Sequence, residues 1–137
     1  MLKLFLSSHG HMASGVKSSV EILCGSNNNL TVFDAYVDQQ CVKDVLDEFY
    51  KTVTDNDQVI LLSDLYGGSV NQQMYLYLDK PNTTLVAGVN LALVLELTTR
   101  ESITNDELNE LVEQSRQMLR IVEKETTEET EEQDDFF

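Results

Sequence analysis

Two short segments far apart in the chain hold the residues best suited to chemistry: Ser7-Ser8-His9-Gly10 and Ser63-Asp64-Leu65-Tyr66-Gly67-Gly68-Ser69. Each ends an apolar run that reads as a buried parallel strand, and open parallel sheets bind their ligands beyond the carboxyl ends of the strands. Folding then brings an imidazole, a carboxylate and a glycine loop to one edge. These are the groups a phosphoryl-accepting histidine needs. A carboxylate that takes the Nδ1 hydrogen sets the tautomer, leaves Nε2 bare as a nucleophile and stabilises the ring once it is cationic. Gly67-Gly68-Ser69, opening a helix, can turn backbone N–H groups toward the oxygens of a phosphoryl group.

Each residue also has a plainer reading. His9 taken alone is as readily a residue without a task, and Asp64 can cap the helix or turn that follows it. Gly-Gly-Ser by itself is weak, because it lacks both the GxxxxGK[ST] of a nucleotide P-loop and the GxGxxG of a dinucleotide fold. His11 completes a His-Gly-His sequence, but no third ligand is apparent. It reads as an exposed residue of the first helical turn, and neither a metal nor another cofactor is expected. Tyr66 shields the site, contacts a partner or packs against the domain.

The elements that must position these groups alternate along the chain. Residues 2–6 form a nearly continuous apolar strand, the pattern of a strand covered on both faces. Met12, Val16, Val20 and Leu23 recur at helical spacing, with Gly25 as the stop. A strand over 30–36 precedes a helix over about 40–53, whose apolar face is Val42, Val45, Leu46 and Phe49. Strands over 59–62 and 83–89 and helices over 70–78, 91–97 and 104–117 follow. This order predicts a doubly wound α/β fold: a mainly parallel four-stranded sheet with helices on both faces. Residues 118–123, with Leu119, Ile121 and Val122, either extend the last helix or form a further C-terminal edge strand; the strand is the preferred reading, placed where two protomers can exchange it.

Composition bounds the rest. A chain of 137 residues, 42% of them hydrophobic and only one of them proline, suits a single domain over 1–122 followed by a tail. Residues 123–137 carry eight carboxylates against Lys124 alone, a solubilising end that cannot bury enough apolar surface to order itself. The final Phe136-Phe137 is a conceivable docking element. A net charge of -15 with nine Lys and Arg excludes nucleic acid as a partner. Cys24 and Cys41 form no metal-spaced pair and suit a reducing compartment. The apolar start breaks after six residues, too short for a membrane span or signal, so a cytoplasmic protein without membrane insertion is expected.

At these residues the chain resembles the mannose-family IIA component of the bacterial phosphoenolpyruvate-dependent sugar phosphotransferase system. Phe5-Leu6-Ser7-Ser8-His9-Gly10 is similar to that family's strand and (S/T)HG start, and Met12-Ala13-Ser14-Gly15 to the helix opening of some members. Asp64-Leu65-Tyr66-Gly67-Gly68-Ser69 resembles its D-x-x-G-G-(S/T) loop. Gly88-Val89-Asn90 with Glu96 beyond resembles G-x-N-x-x-x-x-x-E. Val70 departs from the pattern, which usually has proline there.

The resemblance implies a phosphotransferase in which His9 takes phosphate on Nε2 from the phosphocarrier HPr and passes it to a IIB component. That component would be a separate chain that serves membrane IIC and IID components. Asp64 would orient His9, and Gly67, Gly68 and Ser69 would hold the phosphoryl oxygens. The resemblance also implies a homodimer that exchanges a C-terminal antiparallel strand. Because an acidic donor is repelled by so negative a chain, an apolar rim of Met12, Leu65 and Tyr66 is expected around His9. One alternative is the phosphotransferase subunit of a dihydroxyacetone kinase, which looks similar around its N-terminal histidine. From another class come a receiver-like signalling domain and a non-catalytic anion-binding module. A receiver should carry an acidic pair where Ser7-Ser8-His9 stands, and a binding module would form no acid-labile phosphoryl adduct.

Overall fold

The computed structural model describes residues 1–26 and 29–125. Four strands, β1 (Leu2–His9), β2 (Leu30–Ala35), β3 (Gln58–Ser63) and β4 (Thr83–Ala87), alternate with helices α1 (Met12–Cys24), α2 (Val42–Tyr50) and α3 (Ser69–Tyr75), and α4 (Leu91–Thr98) and α5 (Asn105–Arg116) complete the chain. All pairings are parallel, in the order β2-β1-β3-β4. This is the doubly wound sheet that the alternation of elements predicts.

Strand periodicity divides the core. Val32, Leu6, Leu62 and Val86 stand in register across the sheet and face the same way. Their face packs on Ala13 and Val20 of α1, Leu93, Val94 and Leu97 of α4, and Leu108 and Leu111 of α5. The neighbouring row, including Phe5, Leu61 and Leu85, points to the other face and meets Leu46 and Phe49 of α2 and Val70 and Met74 of α3. Consecutive strand residues therefore feed two different cores, which is why the middles of the central strands, residues 4–6 and 59–62, are apolar at every position. Leu4, Leu6, Phe5, Leu61 and Leu62 are almost wholly buried, each worth about 1.5–3 kcal/mol of transfer energy.

Several boundaries differ from the sequence reading for identifiable reasons. β1 continues through Ser7 and Ser8 to His9 because both buried hydroxyls find backbone partners. Ser7 Oγ donates to the Phe33 carbonyl at 2.8 Å, and Ser8 Oγ donates to the Gly10 carbonyl at 3.0 Å while accepting the Ala13 N–H at 2.7 Å. α3 stops at Tyr75, and the N–H groups of Leu76, Tyr77 and Leu78 bond three residues back, tightening the chain toward Pro81. α5 starts after Thr104, whose hydroxyl accepts the Glu107 N–H at 3.1 Å while Glu107 accepts the Thr104 N–H at 3.1 Å, a complete capping box.

Residues 118–125 form no strand with the four strands of their own chain and run on from α5 as a turn and irregular backbone. Leu119, Ile121 and Val122 are each more than four-fifths exposed. The edge strand expected there from the sequence is not formed within the single chain, because β4 and the other three strands pair only with one another. The tail beyond Glu125, with Phe136-Phe137, lies outside the described residues.

Candidate functional site

The strand order reverses direction between β1 and β3, and the crevice beyond the carboxyl ends of these two strands is the ligand position of such a sheet. Ser7 pairs with Ser63, so His9 and Asp64 emerge side by side. One oxygen, Asp64 Oδ2, accepts the backbone N–H of His9 at 2.9 Å and lies 2.9 Å from its Nδ1. A carboxylate can only accept, so Nδ1 carries the hydrogen and the lone pair of a neutral ring is on Nε2. Burial pushes the Asp64 carboxyl up. The His9 backbone N–H, the ring N–H and the ring charge outweigh it and hold the group below the ordinary Asp range. Asp64 does not cap α3, whose N-cap is Gly68 with no side-chain bond.

His9 Nε2 faces Ser69 Oγ at 3.1 Å, so Ser69, the first residue of α3, reaches the nucleophilic atom. The loop between carries its glycines for two different reasons. Gly67 has φ +76, a left-handed turn that costs other residues strain. Gly68 is extended, and a Cβ there would stand 3.3 Å from the Leu65 carbonyl oxygen and 3.4 Å from His9 Cε1. Its N–H bonds the Leu65 carbonyl at 3.2 Å, so Gly68 provides room for the imidazole rather than a free donor. Met12, Leu65 and Tyr66 are exposed on the segments that follow β1 and β3, and Tyr66, 85% exposed, does not pack into the domain.

Two residues escaped the sequence reading. Tyr36 follows β2, stacks on the His9 ring at 5.2 Å between centroids and 22° between planes, and brings its hydroxyl 2.5 Å from Ser69 Oγ. Asp34, opposite Ser8 in the sheet, accepts the Ser14 N–H at 2.9 Å and the Ser14 hydroxyl at 2.6 Å, and contacts His11 Nδ1 at 3.0 Å. With Ser8 it supplies the N-terminal cap that α1 lacks from His11. Burial raises the Asp34 carboxyl, but Ser14 and then His11 bring it below the ordinary value. The signal for both was topological: the end of β2 lies beside the end of β1.

Among the described residues, no group of three or more His, Cys, Asp or Glu side chains is placed to hold a metal. No helix among them is long and apolar enough to cross a membrane.

Fold and site together define a doubly wound α/β domain that presents a carboxylate-anchored imidazole at its switch point. The family model described as PTS system fructose IIA component, where PTS is the sugar phosphotransferase system, matches residues 3–116, and the chain belongs to that family. It is 27% identical over 126 residues to the PTS system fructose-specific EIIA component of Bacillus subtilis (strain 168), covering 88% of this chain and 86% of that protein. A PTS IIA protein associated with the fucose utilization operon of Streptococcus pneumoniae superposes with a TM-score of 0.77 at 25% identity, over 88% of this chain and 92% of that one. The mannose/sorbose specific IIA subunit from Enterococcus faecalis has the same fold, with a TM-score of 0.78 at 23% identity, over 90% and 96% of the two chains.

Proposed function

We propose that the chain is a cytoplasmic phosphoryl carrier of a sugar-uptake phosphotransferase system, loaded by phospho-HPr on Nε2 of His9 and unloaded by a IIB component. The observation that carries this reading is the double anchor of His9 on Asp64 Oδ2, which keeps the hydrogen on Nδ1 and the lone pair on Nε2. In the transfer, that lone pair forms a bond to phosphorus while the bond from phosphorus to the donor atom of HPr breaks, and that atom keeps the electron pair. The Nδ1 hydrogen stays in place, so the ring becomes cationic beside the Asp64 carboxylate and no proton crosses between proteins. Ser69 meets an oxygen of the arriving group, and the left-handed turn at Gly67 and the close approach that the missing side chain of Gly68 allows bring the start of α3 near it. Positioning carries most of the rate, because a phosphohistidine keeps its group reactive.

The exposed Met12, Leu65 and Tyr66 form a neutral rim on which an acidic HPr can dock despite the net charge of -15. Residues 118–123 pair with the open edge of β4 in a second copy and make the homodimer. The test is incubation with phosphoenolpyruvate, enzyme I and HPr followed by mass spectrometry. An acid-labile, base-stable phosphate on His9 is expected. An unlabelled protein, or equal labelling of His9→Ala, overturns the assignment.

A further inference from the structure

Tyr36 has a backbone that a tyrosine adopts only under constraint: φ +67, where L side chains are crowded and bulky residues are outliers. Such strain persists where the surroundings over-determine it, and it gathers at functional sites. Here the preceding carbonyl, of Ala35, accepts the Gly10 N–H at 2.8 Å, which ties the end of β2 to the turn after His9. The turn then places the Tyr36 ring on the His9 ring and the Tyr36 hydroxyl on Ser69 Oγ. The side chain itself is exposed, so core burial does not explain its conformation.

The polarity of the hydrogen bonds follows from the chemistry of each group. Asp64 accepts at Nδ1, so in the neutral ring Nε2 has no hydrogen and the 3.1 Å contact is donated by the Ser69 hydroxyl. That uses the single hydrogen of Ser69. The 2.5 Å contact with Tyr36 must then be donated by the phenol. A directed chain results, from Tyr36 to Ser69 to His9 to Asp64.

Resting on the phosphoryl-carrier reading, we propose that Tyr36 is a positioning residue for transfer at His9. Its ring restricts rotation of the imidazole, and its hydroxyl holds the Ser69 oxygen so that the Ser69 hydrogen points at Nε2. When the lone pair of Nε2 enters the bond to phosphorus, that hydrogen is released and turns to an oxygen of the new group, while the phenol keeps Ser69 in place. The chain thus has a donor ready for the phosphoryl group before it arrives.

Two variants separate the ring from the hydroxyl: Tyr36→Phe keeps the stack alone, and Tyr36→Gly removes both while accepting the positive φ. The unphosphorylated proteins are compared by ¹⁵N NMR of His9, and phosphoryl transfer from phospho-HPr by rapid quench. In Tyr36→Phe the Nε2 resonance is expected to move toward that of a free acceptor nitrogen, with Nδ1 unmoved, and transfer to fall about fivefold, the worth of one hydrogen bond. Tyr36→Gly should lose more than Tyr36→Phe. An unmoved Nε2 resonance in Tyr36→Phe overturns the role of the hydroxyl, and wild-type transfer by Tyr36→Gly overturns the whole proposal. The NMR result needs no phosphate on His9, so it stands apart from the test of the carrier reading.

Discussion

A single carboxylate oxygen, Oδ2 of Asp64, receives both the main-chain N–H and the ring N–H of His9 at 2.9 Å. The two bonds lock the ring to the backbone that carries it. The side chain thus loses its freedom before any partner arrives, and the strand that bears it is itself held on both sides by β2 and β3. Rigid support of this kind is what a transfer site requires when geometry does most of the work.

The charge and the geometry of Asp64 separate in Asp64→Asn. An amide can turn its NH2 toward Nδ1 and donate to it, which moves the ring hydrogen to Nε2 and removes the nucleophilic lone pair. Transfer from phospho-HPr should fall by roughly 10- to 100-fold, as when a partner behind a reacting imidazole is lost. Asp64→Ala should be impaired too, with a cooperative melting transition retained. Rapid-quench kinetics check this, and a wild-type rate in either variant removes Asp64 from the mechanism.

The two loop glycines should fail differently. Gly67→Ala forces a side chain to φ +76 in open space and should cost about 1 kcal/mol of stability or more. Gly68→Ala keeps an allowed backbone but presses on His9 Cε1 and the Leu65 carbonyl. Its melting temperature should change less than that of Gly67→Ala while its transfer rate drops more. Calorimetry beside a transfer assay tests the contrast, and the reverse order would refute it.

Acid sensitivity should have one source at the end of the sheet away from the site. Asp57 accepts the Thr54 N–H at 2.9 Å and lies 3.4 Å from Lys3 Nζ; the Thr54 N–H first, and Lys3 after the opposing effect of burial, keep its carboxyl below the ordinary Asp range. A group with a depressed folded pKa stabilises fully above its unfolded value and loses that contribution as pH falls through the folded one. Asp57→Asn should therefore melt lower than wild type at pH 7, and the gap should close as pH falls below about 4. A gap that is constant between pH 7 and pH 3 would show that Asp57 does not titrate in this window.

Under the proposed strand exchange, the full chain should be a dimer and removal of the segment after residue 117 should leave a monomer. The apolar Leu119, Ile121 and Val122 are exposed in the single chain, and β4 has one unpaired edge. Light scattering on the full and shortened chains measures this directly. A full chain that is monomeric at micromolar concentration, or a shortened chain that stays dimeric, rules the exchange out.

The four strands of the sheet, the helices and the gathering of His9, Asp64 and Gly67 to Ser69 at one sheet edge were readable along the chain, whereas the strand expected over 118–123 is absent from the single chain. Apolar periodicity and glycine placement are local properties, and residues just past buried strands must gather at one sheet edge. Boundaries were less readable, since Ser7 and Ser8 look like a turn until the Phe33 carbonyl and the Ala13 N–H satisfy them. Tyr36 and Asp34 could not be read in this way. Their partners Ser69, His9, Ser14 and His11 are tens of residues away, and the contacts exist only because β2 pairs beside β1 in one register, Ser8 to Asp34 and His9 to Ala35. Sequence alone determined which chemical groups are present and at which edge; tertiary structure decided which hydrogen each one gives or receives, because that depends on distances between strands that no local pattern encodes.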